Sequence, residues 1–133
     1  MKNPVVILVN PQMAENVGMS ARAMMNCGLY EMRIVSPRED HLSDKAVAAS
    51  SGADKILREA RLYDTTQEAV ADLGLVYATT ARRRNMIKIV ETAEGAAREI
   101  NLKSQAGIKC GILFGPERTG LHNDDVALAD KII

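Results

Sequence analysis

Apolar residues along this chain fall into short continuous blocks separated by stretches with helical periodicity. Pro4-Val5-Val6-Ile7-Leu8-Val9-Asn10 is the first block. It has no polar alternation, so it predicts a strand buried on both faces, ended by Asn-Pro. Glu31 to Val35, Leu62-Tyr63, Leu75 to Thr79 and Ile108 to Phe114 predict further strands, the second halted at Ser36-Pro37. Between them lie helix signals. Asn16 is placed to cap a helix running to about Cys27 with Gly28 as its stop, and Ser43 opens one through Ser50. Thr65-Thr66-Gln67-Glu68 is a capping box for a helix ending at Gly74. Thr92 caps a helix to about Ile100, and Asn123 one toward Ala129.

Strands alternating with helices from end to end predict an α/β fold with a mostly parallel sheet and helices on both faces. Ligands in such folds bind beyond the carboxyl ends of the strands. The loops Asn10 to Asn16, Thr79 to Lys88 and Gly115 to Leu121 all follow predicted strands. The first helix has a second apolar side. Val17, Ala21, Met24, Met25 and Gly28 form one arc, whereas Met19 and Ala23 lie nearly opposite, which fits either a subunit contact or tolerated exposure.

Composition narrows the function classes. The 133 residues suit one domain, expected to span 1–133, and their 47% hydrophobic content is enough for a core. Lys plus Arg (17) balances Asp plus Glu (17), so no global positive field exists and any polyanion must meet a local patch. One Phe, three Tyr and no Trp leave little for a base-stacking platform. Cys27 and Cys110 share no metal-ligand spacing and read as reduced core thiols of a cytoplasmic protein. His41 and His122 are isolated, so neither a metal site nor a histidine-based nucleophile is expected. The absence of a long apolar run or a charged leader argues against a membrane span or a signal peptide.

The loops carry the candidate chemistry. In the first, the start of a helix can hold an anion or a polar group. Arg22, about 120° from the centre of the buried arc, is free to reach a phosphate or another chain. The second begins with the small residues Thr79, Thr80 and Ala81, which allow close approach to the backbone, and continues into Arg82, Arg83, Arg84 and Lys88. Clustered arginines grip phosphates, so these four are candidate nucleic-acid contacts, although such a run also occurs as a plain solvated loop. In the third, Gly115 permits close approach and Pro116 fixes the turn. Glu117 is then presented to accept a hydrogen bond, orient Arg22 or hold a hydroxyl, with a surface pair to Arg118 as the plainer alternative.

Asn16 with Arg22 six residues on, the segment Ala78-Thr79-Thr80-Ala81-Arg82 and the segment Phe114-Gly115-Pro116-Glu117-Arg118-Thr119-Gly120-Leu121 together resemble the SpoU/TrmH family of SPOUT-class RNA 2′-O-ribose methyltransferases. Within it the likeness is nearest to the TrmJ-like branch, which modifies the tRNA anticodon loop. The resemblance implies a Rossmann-like α/β knot, a homodimer with active sites near the subunit interface, and S-adenosylmethionine as cofactor. It implies that Asn16, Arg22 and Glu117 are catalytic, with Arg22 acting at the ribose 2′-hydroxyl and the other two positioning it. Thr79, Thr80, Ala81 and Gly115 match cofactor-lining positions. The family's third motif, which completes the trefoil knot, has no counterpart before Ile133. The expectation is therefore an incomplete knot, and a chain that as given binds the cofactor weakly or not at all. Two other classes stay open: a non-catalytic RNA-binding or dimerisation module, and an ordinary nucleotide-binding enzyme, against which the missing Gly-rich fingerprint counts.

Overall fold

A computed structural model describes residues 3–80 and 88–133. Strand β1 (Val5–Val9) is buried at every position, as a central strand without alternation must be. Helix α1 (Ala14–Asn26) follows, then β2 (Met32–Val35), α2 (Asp44–Ser50), α3 (Asp54–Glu59), β3 (Arg61–Tyr63), α4 (Thr66–Val70) and β4 (Leu75–Ala78). The remainder is β5 (Ile89–Val90), α5 (Ala93–Gln105), β6 (Cys110–Phe114), α6 (Asn123–Ala127) and β7 (Lys131–Ile132).

The strands form one sheet in the order β3-β2-β1-β6-β4-β7-β5, and every pairing is parallel. This is the expected α/β architecture. From β1 the chain steps outward through β2 to β3, then crosses to β4 on the far side of the β1–β6 seam. The loops after β1 and β6 therefore emerge side by side at the reversal of strand order, the place where open α/β sheets hold ligands.

The two faces of the sheet carry separate cores. Val5, Ile7, Val9, Val76 and Leu113 pack with Ala69 of α4 and Val126 of α6. On the other face Val6, Leu8 and Ile34 meet Val17, Ala21 and Met24 of α1 and Leu57 of α3. Tyr77 and Cys110 pack there against Ala96 and Ile100 of α5. Among the described residues no helix is long and apolar enough to cross a membrane.

Three of the expected caps are present. The hydroxyls of Ser43, Thr65 and Thr92 accept from the N–H groups of Ala46, Glu68 and Gly95. Gly28 ends α1 at φ +74°, as the sequence suggested. Other boundaries differ. Helix α1 begins at Ala14, so Asn16 lies inside its first turn and is not its cap, and His122 rather than Asn123 holds the cap position of α6. Helix α5 runs past Ile100 to Gln105. Helix α3 and strand β5 were not expected, because each is too short to show a period of its own. Cys110 is buried as anticipated, but Cys27, at the C-cap of α1, is exposed.

Candidate functional site

The start of α1 is built without a local cap. Met13 holds the cap position and offers no side-chain acceptor. Two distant carboxylates take over that task. The backbone N–H of Gln12 donates to both oxygens of Glu117 at 3.1 Å, and that of Met13 donates to Glu117 Oε2 at 2.9 Å. The N–H of Ala14 donates to Glu39 Oε1 at 2.7 Å. Asn16, one turn into the helix, adds its side-chain amide, which donates to Glu117 Oε2 at 3.2 Å across 101 residues of sequence. Partial burial pushes the Glu117 carboxyl upward, but the N–H of Gln12, the amide of Asn16 and the N–H of Met13 outweigh it, so the group sits below its ordinary value. Glu117 is therefore an ionised acceptor at neutral pH, holding the N–H groups of Gln12 and Met13 and the amide of Asn16. The anion that the helix start attracts is the protein's own.

The loop carrying Glu117 is closed on itself. Gly120 N–H donates to Pro116 O at 2.8 Å, and Gly120 takes φ +69°. Gly115 is obligatory there, since a Cβ would lie 2.2 Å from the Leu121 nitrogen. Gln12 ties this loop to its neighbour. Its Oε1 accepts from Arg118 N–H at 3.1 Å while its own N–H holds Glu117. A further loop, after β2, joins from the other side. Arg38 N–H donates to Pro11 O at 3.0 Å and Arg38 Nε to Gln12 O at 3.2 Å. Arg38 and Glu39 were missed in the sequence because their role exists only once β2 stands beside β1.

Thr79 continues the rim on the other flank of β6. Its N–H and its hydroxyl both donate to Leu113 O, at 3.0 and 2.8 Å. The hydroxyl thus locks the end of β4 to β6. Thr80 follows, half-buried and also engaged. Lys88 donates to the carbonyls of Ala129 and Ala127 at the end of α6. Ala81, Arg82, Arg83 and Arg84 lie outside the described residues.

Asn16 and Glu117 are thus brought together, with Gly115 at the base of the same loop. Arg22 is not brought to them. It is exposed on α1, about 120° round the helix from Asn16, with no hydrogen bond or ion pair among the described residues. Beside Asn16 and Glu117 opens a mostly apolar cavity of about 400 Å³, floored by Val6, Leu8 and Phe114 and walled by Val17, Ala23 and Met24. Ala23, on the second apolar side of α1, faces this cavity, and Met19 is exposed.

The model of the SpoU rRNA Methylase family matches residues 3–133. The tRNA (cytidine-2′-O-)-methyltransferase TrmJ of Methanocaldococcus jannaschii is 38% identical over 131 residues, covering 96% of this chain and 55% of that protein. The crystal structure of TrmJ from Z. mobilis ZM4 superposes with a TM-score of 0.94 at 51% identity, over 99% of this chain and 58% of that one. An AdoMet bound rRNA methyltransferase from Sinorhizobium meliloti shares the fold at a TM-score of 0.68 and 21% identity, over 98% of this chain and 46% of that one. The chain thus spans about half the length of the relatives it matches. A match over residues 3–133, joined to the superposition on TrmJ from Z. mobilis ZM4, settles the lineage: the chain belongs to the SpoU methylase family.

Proposed function

We propose that this chain is the methyltransferase domain, over residues 1–133, of an enzyme that methylates the 2′-hydroxyl of a ribose in tRNA from S-adenosylmethionine. The observation that carries the reading is the Glu117 carboxylate joined to Asn16 and to the N–H groups of Gln12 and Met13 at the strand-order reversal. The TrmJ names of the similar proteins favour tRNA over rRNA.

The residues present fit the cofactor. Small side chains end β4, the Gly115 loop doubles back beside them, and Thr79 has already turned its hydroxyl into the sheet. Thr79, Thr80, Ala81 and Gly115 would hold S-adenosylmethionine largely through backbone. When bound, it supplies an electrophilic methyl on a sulfonium centre. The protein's task is then alignment of the hydroxyl, which by itself is worth several powers of ten in rate.

Glu117 does not serve as a general base in this reading. Its oxygens are engaged by Gln12, Met13 and Asn16 and its carboxyl is held low, so it fixes the start of α1 and Asn16 with it. Arg22 is the group at the ribose hydroxyl. A guanidinium keeps its charge and has no lone pair free to take a proton, which suits it to stabilising charge and orienting the hydroxyl more than to removing a proton. Because Arg22 stands apart from Asn16 and Glu117 on its own chain, the set is completed by a second copy, and the enzyme works as a cytoplasmic homodimer with its sites at the subunit interface. Arg82, Arg83, Arg84 and Lys88 would meet the RNA backbone, Lys88 by exchanging its carbonyl partners for phosphate.

The test is labelled methyl transfer to unmodified tRNA by the natural full-length protein. Arg22→Ala is expected to lower kcat at least a hundredfold with little change in S-adenosylmethionine affinity. Undiminished turnover would remove Arg22 from the chemistry. A folded protein that binds tRNA and gives no calorimetric response to S-adenosylmethionine would favour the binding-module alternative.

A further inference from the structure

We propose that Arg38 is a phosphate-binding side chain for the RNA substrate, set on the rim of the site next to Gln12. The inference rests on the RNA-directed reading above and adds a contact to it.

Arg38 is exposed, with Glu39 and Asp40 as its immediate neighbours, yet it forms no ion pair among the described residues. Each nearby carboxylate is engaged elsewhere. Glu39 accepts from Ala14 N–H, Asp40 accepts from Leu42 N–H, and Glu117 accepts from Gln12, Met13 and Asn16. Arg38 instead donates Nε to the Gln12 carbonyl. That bond fixes the inner edge of the guanidinium, and its terminal amino groups have no partner among the described residues. A planar fork held by one edge is preorganised for the paired hydrogen bonds an anionic oxygen pair accepts, and little ordering entropy remains to be lost on binding.

Position selects the ligand. Arg38 follows β2, next to the β1–β6 seam, and is anchored to the residue that holds Glu117, so it borders the place where the ribose must lie. A ribose in RNA carries a phosphate on either side, within reach of such a rim. The start of α1 cannot serve that phosphate, because Glu117 and Glu39 already occupy its N–H groups. Arg118, exposed and held to Gln12 through its own N–H, is the nearest further cation on the Glu117 loop. In a chain with no net charge, a local contact of this kind carries weight in binding.

The experiment is tRNA binding by the natural full-length protein across a salt series, with calorimetry of S-adenosylmethionine in parallel. Arg38→Gln is expected to weaken tRNA binding about tenfold and to lower the slope of log affinity against log salt by about 0.7, one single-strand phosphate contact. S-adenosylmethionine affinity and the melting temperature should hold, and Arg38→Lys should restore the slope and most of the affinity. An Arg38→Gln protein with wild-type affinity and slope would overturn the proposal. So would equal losses in Arg38→Gln and Arg38→Lys with the slope unchanged, which would reduce Arg38 to a brace for Gln12. A wild-type protein that binds tRNA but transfers no methyl group would sink the methyltransferase reading alone, while the salt slopes would still decide for or against Arg38.

Discussion

At the scale of single residues the site is organised by acceptors rather than by reactive groups. Glu117 gathers N–H donors from a loop and a helix more than a hundred positions away in sequence. Replacing it with alanine removes a helix cap, expected to cost about 1 kcal/mol of stability, since water can reach the exposed donors. The larger loss should be in methyl transfer, because Asn16 and the start of α1 lose their anchor. The carboxyl is held below its ordinary value, so its stabilisation is fully present above the unfolded value near 4.3 and is lost as pH falls through the lower folded one. Denaturation of wild type and Glu117→Gln should therefore differ at pH 7 and converge in acid. A gap that stays constant with pH would show that the charge of Glu117 does not hold α1. The chemical types of Asn16, Glu117 and Gly115 could be read from sequence because a turn followed by a carboxylate is a local pattern. Their meeting could not, because it depends on β6 lying next to β1.

At the scale of elements, α1 is placed by what it lacks. A Cβ on Gly18 would meet the Ala46 carbonyl oxygen at 2.1 Å and the Ala49 Cβ at 2.9 Å, so α1 and α2 cross in near backbone contact. Gly18→Ala would force the helices apart, with a destabilisation of about 1–3 kcal/mol by overpacking. It should also reduce methyl transfer at temperatures where the variant remains folded, because Asn16 sits half a turn away on the displaced helix. Urea unfolding checks the first part, and a midpoint unchanged from wild type would mean that the pair opens freely. The helix caps show which element signals survive in a sequence. Ser43, Thr65 and Thr92 each bond within three residues and were read correctly. Asn16 has the right chemistry for a cap in the wrong place, because the competing acceptors Glu117 and Glu39 reach α1 only through the sheet. Strand β5 and helix α3 stayed hidden for a related reason: two and six residues are held by pairing and burial, not by a period.

At the scale of the whole molecule, the two ends of the sheet are divided by task. The loops of the proposed site occupy the carboxyl end, and a charged cluster ties together the other. Glu31 immediately precedes β2, Asp72 lies just ahead of β4 and Lys109 immediately precedes β6, and all three surround Arg33, which points into the core from β2 and is only 2% exposed. Its guanidinium donates to both oxygens of Asp72, at 2.6 and 2.9 Å, to the Ala69 carbonyl at 2.7 Å and to Glu31 at 3.2 Å, with the Tyr63 ring 5.7 Å away. Sequence patterning gave no sign of this, since an arginine inside an apolar strand block looks the same whether it is buried or turned outward. Removing one partner of a buried charge is more damaging than never having had the pair. Asp72→Asn should therefore destabilise the fold by about 1–2 kcal/mol, less than for a fully buried pair because the Asp72 side chain is half exposed and Glu31 and the Ala69 carbonyl still hold Arg33, whereas Arg33→Met, which removes the charge as well, should cost less. The bond from Arg33 brings the Asp72 carboxyl down to about 2. Its contribution is complete above the unfolded value near 3.9 and fades as pH falls from there toward 2, so wild type should lose more stability than Asp72→Asn across that window and the gap between them should close. Methyl transfer below the melting temperature should be the same in both proteins, because Glu31, Asp72 and Lys109 lie at the opposite end of the sheet from the proposed site. A kcat lowered by Asp72→Asn at a temperature where the fold is intact would show that the two ends are coupled.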